Sequence, residues 1–346
     1  MSSSVNLTSN ARPMIFPVQL NATFNVTSTN NSIHNRHLSL QWNFMSEFLL
    51  FIAIAGVSFN GIALLRFMKD RTLLNPFTIK VILLLTLNVI SCLTQWGLSA
   101  VAILYSGRGK WVLGNRACDL FLLSNCVVNA LIMNTHGLLA VNRAWAVLHP
   151  FSYRRHHSQR LALQIVAGLI VYCILVMVPF WLMDAVTYRL PLDVNGCTPN
   201  VDAQAVYNVA TALVVFALPV AVVWVAFFVV MVNKLARLRR SRRVLLVHPV
   251  KESTNGATGL TSDEKQLAKR SRWQGYLVLT ILSVSVTVCY GPRVVYATLR
   301  LFIPSISHPF FFQVASMLFA LQIVLDPILL SLTIGKWPGS RCGVCL

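Results

Sequence analysis

The sequence predicts an all-α membrane protein, a seven-transmembrane helix bundle with an extracellular N-terminus. Three observations predict it. Hydrophobic residues make up 56% of the 346-residue chain and charged residues only 11%, whereas a soluble domain carries about a quarter charged residues. Seven mostly apolar stretches follow one another, each near the roughly 20 residues that carry a helix across a bilayer. Four N-glycosylation sequons precede the first stretch and none follows it.

The stretches are residues 44–68, 78–105, 118–142, 161–186, 203–233, 273–299 and 309–334. Residues 81–107, 120–142, 161–183 and 203–233 contain no Asp, Glu, Lys or Arg. Barrel strands would alternate apolar and polar residues over about 10 positions. Continuous apolar runs of this length are helices, which satisfy their own backbone hydrogen bonds in lipid.

Residues 1–42 read as a disordered, glycosylated extracellular tail, rich in Ser, Thr and Asn, with sequons at Asn6, Asn21, Asn25 and Asn30. "MSSSVNLTSN" has no basic start and no apolar core, so the first helix serves as the export signal. Charge supports the same orientation. The inner segments hold Arg66, Lys69, Arg71 and Lys80, then Arg143, Arg154, Arg155 and Arg160, then eleven cations from Lys234 to Arg272, then Lys336 and Arg341. Membrane topology and contact with anionic lipid heads account for the net charge of +19 without nucleic acid. The seven-helix domain is residues 43–335, with a third inner loop at about 234–272 whose middle, "KESTNGATGLTSDEK", reads as disordered, and residues 336–346 form a short cytoplasmic tail.

Among eight cysteines, Cys92, Cys126, Cys173 and Cys289 lie inside helices as small apolar residues. Cys118 opens the third helix and Cys197 follows the fourth. Both face the oxidising side with no competitor, which predicts a disulfide. Cys342 and Cys345 follow the last helix as palmitoylation sites or free thiols.

Cys118 lies 25 residues before Arg143, or about 37 Å of helix. One tilted helix therefore spans from an outer cysteine to an arginine at the cytoplasmic edge, and Pro150 ends it.

These residues carry a resemblance. Asn60 in "GVSFNG", "WVLGNRAC" at 111–118, "NRAW" around Arg143, "HPFSY" after it, "FALP" at 216–219, "CYGP" at 289–292 and "DPILL" at 326–330 occur in order, each on its own helix or loop. Over residues 43 to 342 the chain resembles the rhodopsin-like (class A) G-protein-coupled receptors. The resemblance implies an extracellular ligand, outward movement of the sixth helix below Pro292, and contact of Arg143 with a heterotrimeric G protein, with arrestin as a further partner. It implies no cofactor and no enzymatic activity.

The sequence departs from the family's pattern at several positions. Asn142 replaces the acidic neighbour of the arginine, and Arg272 stands where the sixth helix often carries an acidic partner. Leu330 and Phe227 replace tyrosines whose hydroxyls help stabilise the open state in the family. Asn88 replaces the second-helix aspartate that usually binds sodium. Asp326 is either the acid that remains or a carboxyl, ionised or neutral, hydrogen-bonded to Asn88 or Asn60. With Pro292 and Pro327, these residues form the expected switch. Tyr290 replaces the tryptophan at the floor of the ligand cavity.

The family's amine receptors place an aspartate where Asn125 stands, which disfavours an amine ligand. No lysine lies between Arg300 and Lys336, which excludes a retinal Schiff base. Arg293, next to Pro292, is expected to face the cavity with Asn125, Asn129, Gln95, Tyr290, Tyr296 and Ser316. It selects a carboxylate-bearing peptide or acidic small molecule, or else snorkels to the outer headgroups. Glu47 and Asp184 are candidate partners for it, and Trp111, Arg189 and Arg300 a candidate outer rim.

A transporter would show internal repeats or broken helices with paired polar sites, and none is found. A membrane enzyme would need a catalytic constellation, whereas His136 alone reads as a packed residue. A non-signalling or decoy receptor of the same fold accommodates the altered switch.

Overall fold

A computed structural model describes residues 44–69, 75–106, 111–247, 262–303 and 308–334. The four sequons, Cys342, Cys345 and the middle of the third inner loop lie outside the described residues, and the side chain of Arg272 is likewise not described.

Six helices are long and apolar enough to cross a membrane: Phe44–Lys69, Pro76–Tyr105, Gly114–Leu148, Gln159–Tyr188, Ala205–Arg237 and Phe310–Ser331. A seventh span is the bent pair Tyr276–Cys289 and Gly291–Arg300, which meet at 45°. They are numbered first to seventh in chain order, the bent pair being the sixth. The described secondary structure is helical, so the seven-helix expectation stands.

Local chemistry sets the ends. Asn75 caps the second helix, its Oδ1 accepting from the backbone N–H of Phe77 and Thr78, with Pro76 at the first helical position. Ser158 caps the fourth helix through Leu161 N. Pro150 ends the third helix and also opens a short helix, Pro150–His156, because its fixed φ suits a first turn. Pro292 removes one backbone donor, and the sixth helix bends at Tyr290.

The helices run further than the apolar stretches suggest. The third extends to Leu148, which places Arg143 within the helix, the fifth continues to Val247, and the sixth begins at Ser262. The stretch expected to be disordered, 251–265, is therefore helical from Ser262 on. Arg, Leu, Lys, Glu and Gln favour helix there. Four spans also carry a π-helical turn, at Cys92–Trp96, Ser124–Val128, Asp184–Tyr188 and Ala212–Ala217. Each inserts one residue and rotates the following side chains.

One apolar core, including Leu84, Met133, Val223, Leu282 and Ile323, joins the helices. At the outer end Cys118 and Cys197 are disulfide-bonded, as the sequence predicts.

Candidate functional site

The outer half of the bundle holds a small, partly open pocket lined by Asn129, Met133, Phe216, Arg293 and Phe319, among others. Arg293 is only 4% exposed. It lies in the cavity wall and does not snorkel to the surface. Its guanidinium sits 4.7 Å from the Phe319 ring centroid and 5.7 Å from that of Phe312, and its Nη1 donates to Ser316 Oγ at 3.5 Å. Ser316 in turn donates to Phe312 O.

The other cavity candidates form two groups. Gln95 Nε2 donates to Asn125 Oδ1 at 3.2 Å, and Asn129 Nδ2 donates to the same oxygen at 2.8 Å. Asn125 Nδ2 and Asn129 Oδ1 are buried without a protein partner. Tyr290 is buried below, its ring 5.0 Å from Phe319 and edge-on to His136. Tyr296 stacks near Phe311 and Phe312, and its hydroxyl accepts from His308 N.

Two expectations about the outer side need correction. Asp184 does not pair with Arg293. It holds Arg189 Nε at 2.8 Å and accepts from Asn200 N at 2.7 Å. Arg189 is therefore no free rim cation, since it also reaches Asp119 at 3.0 Å. Trp111 is partly spent too, donating to Gly114 O and packing on Phe121. Arg300 lies over the Tyr296 ring at 5.9 Å.

Beneath the cavity lies a polar core. Asn60 Nδ2 donates to Gly56 O and to Ile323 O, tying the first helix to the seventh. Asn88 Nδ2 donates to Asn60 Oδ1 and to Asp326 Oδ2, each at 3.1 Å. Asp326 is thus hydrogen-bonded to Asn88 and reaches Asn60 only through it. Gln322 also donates to Asp326, and Ser285 donates to Gln322 at 2.8 Å, which joins the sixth helix to the group. His136 Nε2 lies 3.1 Å from Asp326 Oδ1. The reading of His136 as a merely packed residue is therefore overturned. The signal for it was an imidazole within residues 120–142, which hold no Asp, Glu, Lys or Arg.

At the inner end, Arg143 lies over the Phe77 ring, 3.3 Å from its centroid. Lys80, only 1% exposed, donates to Asn142 Oδ1 at 3.1 Å and lies 2.9 Å from His157 Nε2. Asn142 donates to the Tyr153 hydroxyl at 3.3 Å. Burial, then Lys80 and Arg143, push the His157 imidazole down to about 4. Burial raises the Tyr153 hydroxyl. Sequence reasoning placed Lys80 among the inner cations but missed that it clamps the third helix.

A helix bundle with a mostly apolar outer pocket that holds a buried arginine, a core knot at the seventh-helix Asp-Pro and an arginine at the inner end of the third helix defines a receptor architecture. The model of the 7 transmembrane receptor (rhodopsin family) matches residues 59–330. The chain belongs to that family, and it is a multi-pass protein of the plasma membrane. It is 24% identical over 250 residues to melatonin receptor type 1B-B of Danio rerio, covering 72% of this chain and 65% of the relative. It is 23% identical to melatonin receptor type 1B of Rattus norvegicus, with 70% and 60% covered. Identity to 5-hydroxytryptamine receptor 1B of Homo sapiens is 22%, with 68% and 60% covered. The match thus spans somewhat less than two thirds of these relatives' length. They are receptors rather than enzymes, which agrees with the non-enzymatic expectation.

Proposed function

We propose that the chain binds an extracellular ligand in the cavity beside Arg293 and activates a heterotrimeric G protein by outward movement of the sixth helix. The observation that carries the ligand class is the burial of Arg293 in the cavity wall among Phe312, Phe319 and Ser316. A guanidinium there presents a planar fork that suits a carboxylate. The ligand is an acidic small molecule or a peptide with an anionic group. Asn129 lines the same pocket, and its Oδ1 has no protein partner.

The relatives are named for melatonin and 5-hydroxytryptamine. A protonated amine gains nothing next to Arg293, and Asn125 offers it no carboxylate. The family likeness supports the receptor role, whereas the local charge favours a different ligand from an amine.

A second reading is a receptor of the same fold that binds without signalling. It is favoured by Leu330 and Phe227, which lack the family's hydroxyls, and by the Lys80 clamp on Asn142. Nucleotide exchange on a panel of G proteins, run beside arrestin recruitment with anionic peptides and small acids, separates the two. Exchange above the empty-membrane level supports signalling. Arrestin recruitment or binding without exchange on any G protein supports the second reading.

A further inference from the structure

By resemblance, the region around Asp326 is where the family places a sodium ion, and the groups present do not fit one. Both Asp326 oxygens face nitrogen groups: Asn88 Nδ2 on Oδ2, and Gln322 Nε2 with His136 Nε2 on Oδ1. A hard cation needs several oxygen lone pairs. Asn88 Oδ1 lacks a protein partner, but one amide oxygen does not make such a shell.

We infer that His136 carries a proton in place of that ion, so that a buried imidazolium–carboxylate pair ties the third helix to the seventh. His136 Nδ1 lies 2.8 Å from Ile132 O. A carbonyl only accepts, so Nδ1 bears hydrogen. A neutral imidazole has one N–H, and Nε2 would then turn a lone pair toward Asp326 Oδ1 at 3.1 Å. The contact requires a second proton between them. Asn88 and Gln322 both donate to the carboxylate. The Asn88 orientation is set by Asn60 Oδ1, since Asn60 Nδ2 already donates to Gly56 O and Ile323 O, while Gln322 turns its Nε2 to Asp326 with its Oε1 accepting from the Ser285 hydroxyl. Two amide donors favour the carboxylate anion, which leaves the proton on Nε2.

His136 and Asp326 are 1% and 3% exposed, so water does not replace either partner while the pair is assembled. The other titratable groups beside it come from the sixth helix. They are Tyr290, whose ring stands edge-on to the imidazole at 5.4 Å, and the Cys289 thiol near Asp326. The second helix contributes Asn88, and the fifth packs there through Pro219 against Gly137, neither of which titrates. Separating the third and seventh helices exposes two buried charges to apolar surroundings. The proton therefore favours the assembled core. Because the bound proton stabilises the folded state, its contribution is present at low pH and lost as pH rises through the pair's deprotonation.

The test uses the purified full chain in detergent and needs neither ligand nor G protein. Tm is followed by reaction of the buried cysteines with a thiol dye, from about pH 6 to about pH 9, in sodium chloride or choline chloride of equal ionic strength. The wild type should have the same Tm in both salts and lose several degrees as pH rises. In Asp326→Asn the new amide donates to a neutral His136, so the fall should flatten, and His136→Leu should flatten it likewise. Histidine 15N spectra of the wild type near neutral pH should show both His136 ring nitrogens protonated, the resonance being assigned by its loss in His136→Gln. A sodium-specific rise in wild-type Tm, a pH profile unchanged in the variants, or an unprotonated Nε2 would each overturn the inference.

Discussion

Lys80 Nζ donates to Asn142 Oδ1 at 3.1 Å, so a buried cation of the second helix holds the residue that precedes Arg143. The same ammonium reaches His157 Nε2 at 2.9 Å. Arg143 itself rests on Phe77. Where the family places an acid beside the arginine, this chain has a lysine, an amide and an aromatic ring in contact.

This clamp predicts opposite effects from two substitutions. Asn142→Asp turns the contact into a charge-assisted one worth an extra ~1–2 kcal/mol, which should lower ligand-independent signalling a few-fold or more. Lys80→Met removes the donor and should raise it. Basal nucleotide exchange, normalised to surface expression, reads both. Equal output from wild type and both variants would mean that other contacts set the balance.

The depressed His157 imidazole gives a pH dependence of defined sign. Its folded value, about 4, lies below the free value of about 6.5. The stabilisation is therefore complete above about 6.5 and lost as pH falls toward about 4. In purified receptor, His157→Gln should flatten the acid limb of Tm against pH. An acid limb as steep as the wild type's would contradict a neutral His157 beside Lys80.

The bridge between Cys118 and Cys197 joins the third helix to the loop after the fourth. Loss of a native disulfide costs about 2–5 kcal/mol in small secreted domains. Cys118→Ala and Cys197→Ala should each lower surface expression, as read by labelling of an N-terminal epitope tag. Wild-type surface levels in both would show that the fold exports without it.

Glycan addition at Asn6, Asn21, Asn25 or Asn30 predicts that glycosidase treatment of cell-surface protein lowers its apparent mass, and that replacing all four asparagines by glutamine abolishes the shift. A tail epitope accessible only after permeabilisation would reverse the proposed orientation.

The seven spans were legible because long runs without charge admit few structures other than membrane helices. The disulfide was legible because topology left only Cys118 and Cys197 on the oxidising side. Helix ends were less so. The fifth and sixth helices run past their apolar stretches, to Val247 and from Ser262, because Arg, Lys and Leu favour helix there, whereas the Ser, Thr and Gly of the loop's middle suggested disorder up to residue 265. The core pair was missed because an isolated histidine in an apolar helix looks like any packed residue, and Asp326 lies 190 positions away. What points to such a pair is cost. An ionisable group within a span is expensive unless it finds a partner, so His136 and Asp326 needed to be considered together. Arg189 was misplaced for the converse reason. Asp119 and Asp184 flank it from two helices, and their convergence depends on the packing at the outer end.

The central claim, an anion-binding cavity centred on Arg293, is tested most directly by agonist potency. Anionic peptides and small acids would be screened for G-protein activation on the wild type, and each agonist repeated on Arg293→Lys and Arg293→Ala at matched surface expression. Arg293→Lys keeps the charge but loses the fork, so the account predicts a potency loss of about tenfold or more, with a larger loss in Arg293→Ala. Agonists of full potency on Arg293→Ala would contradict it.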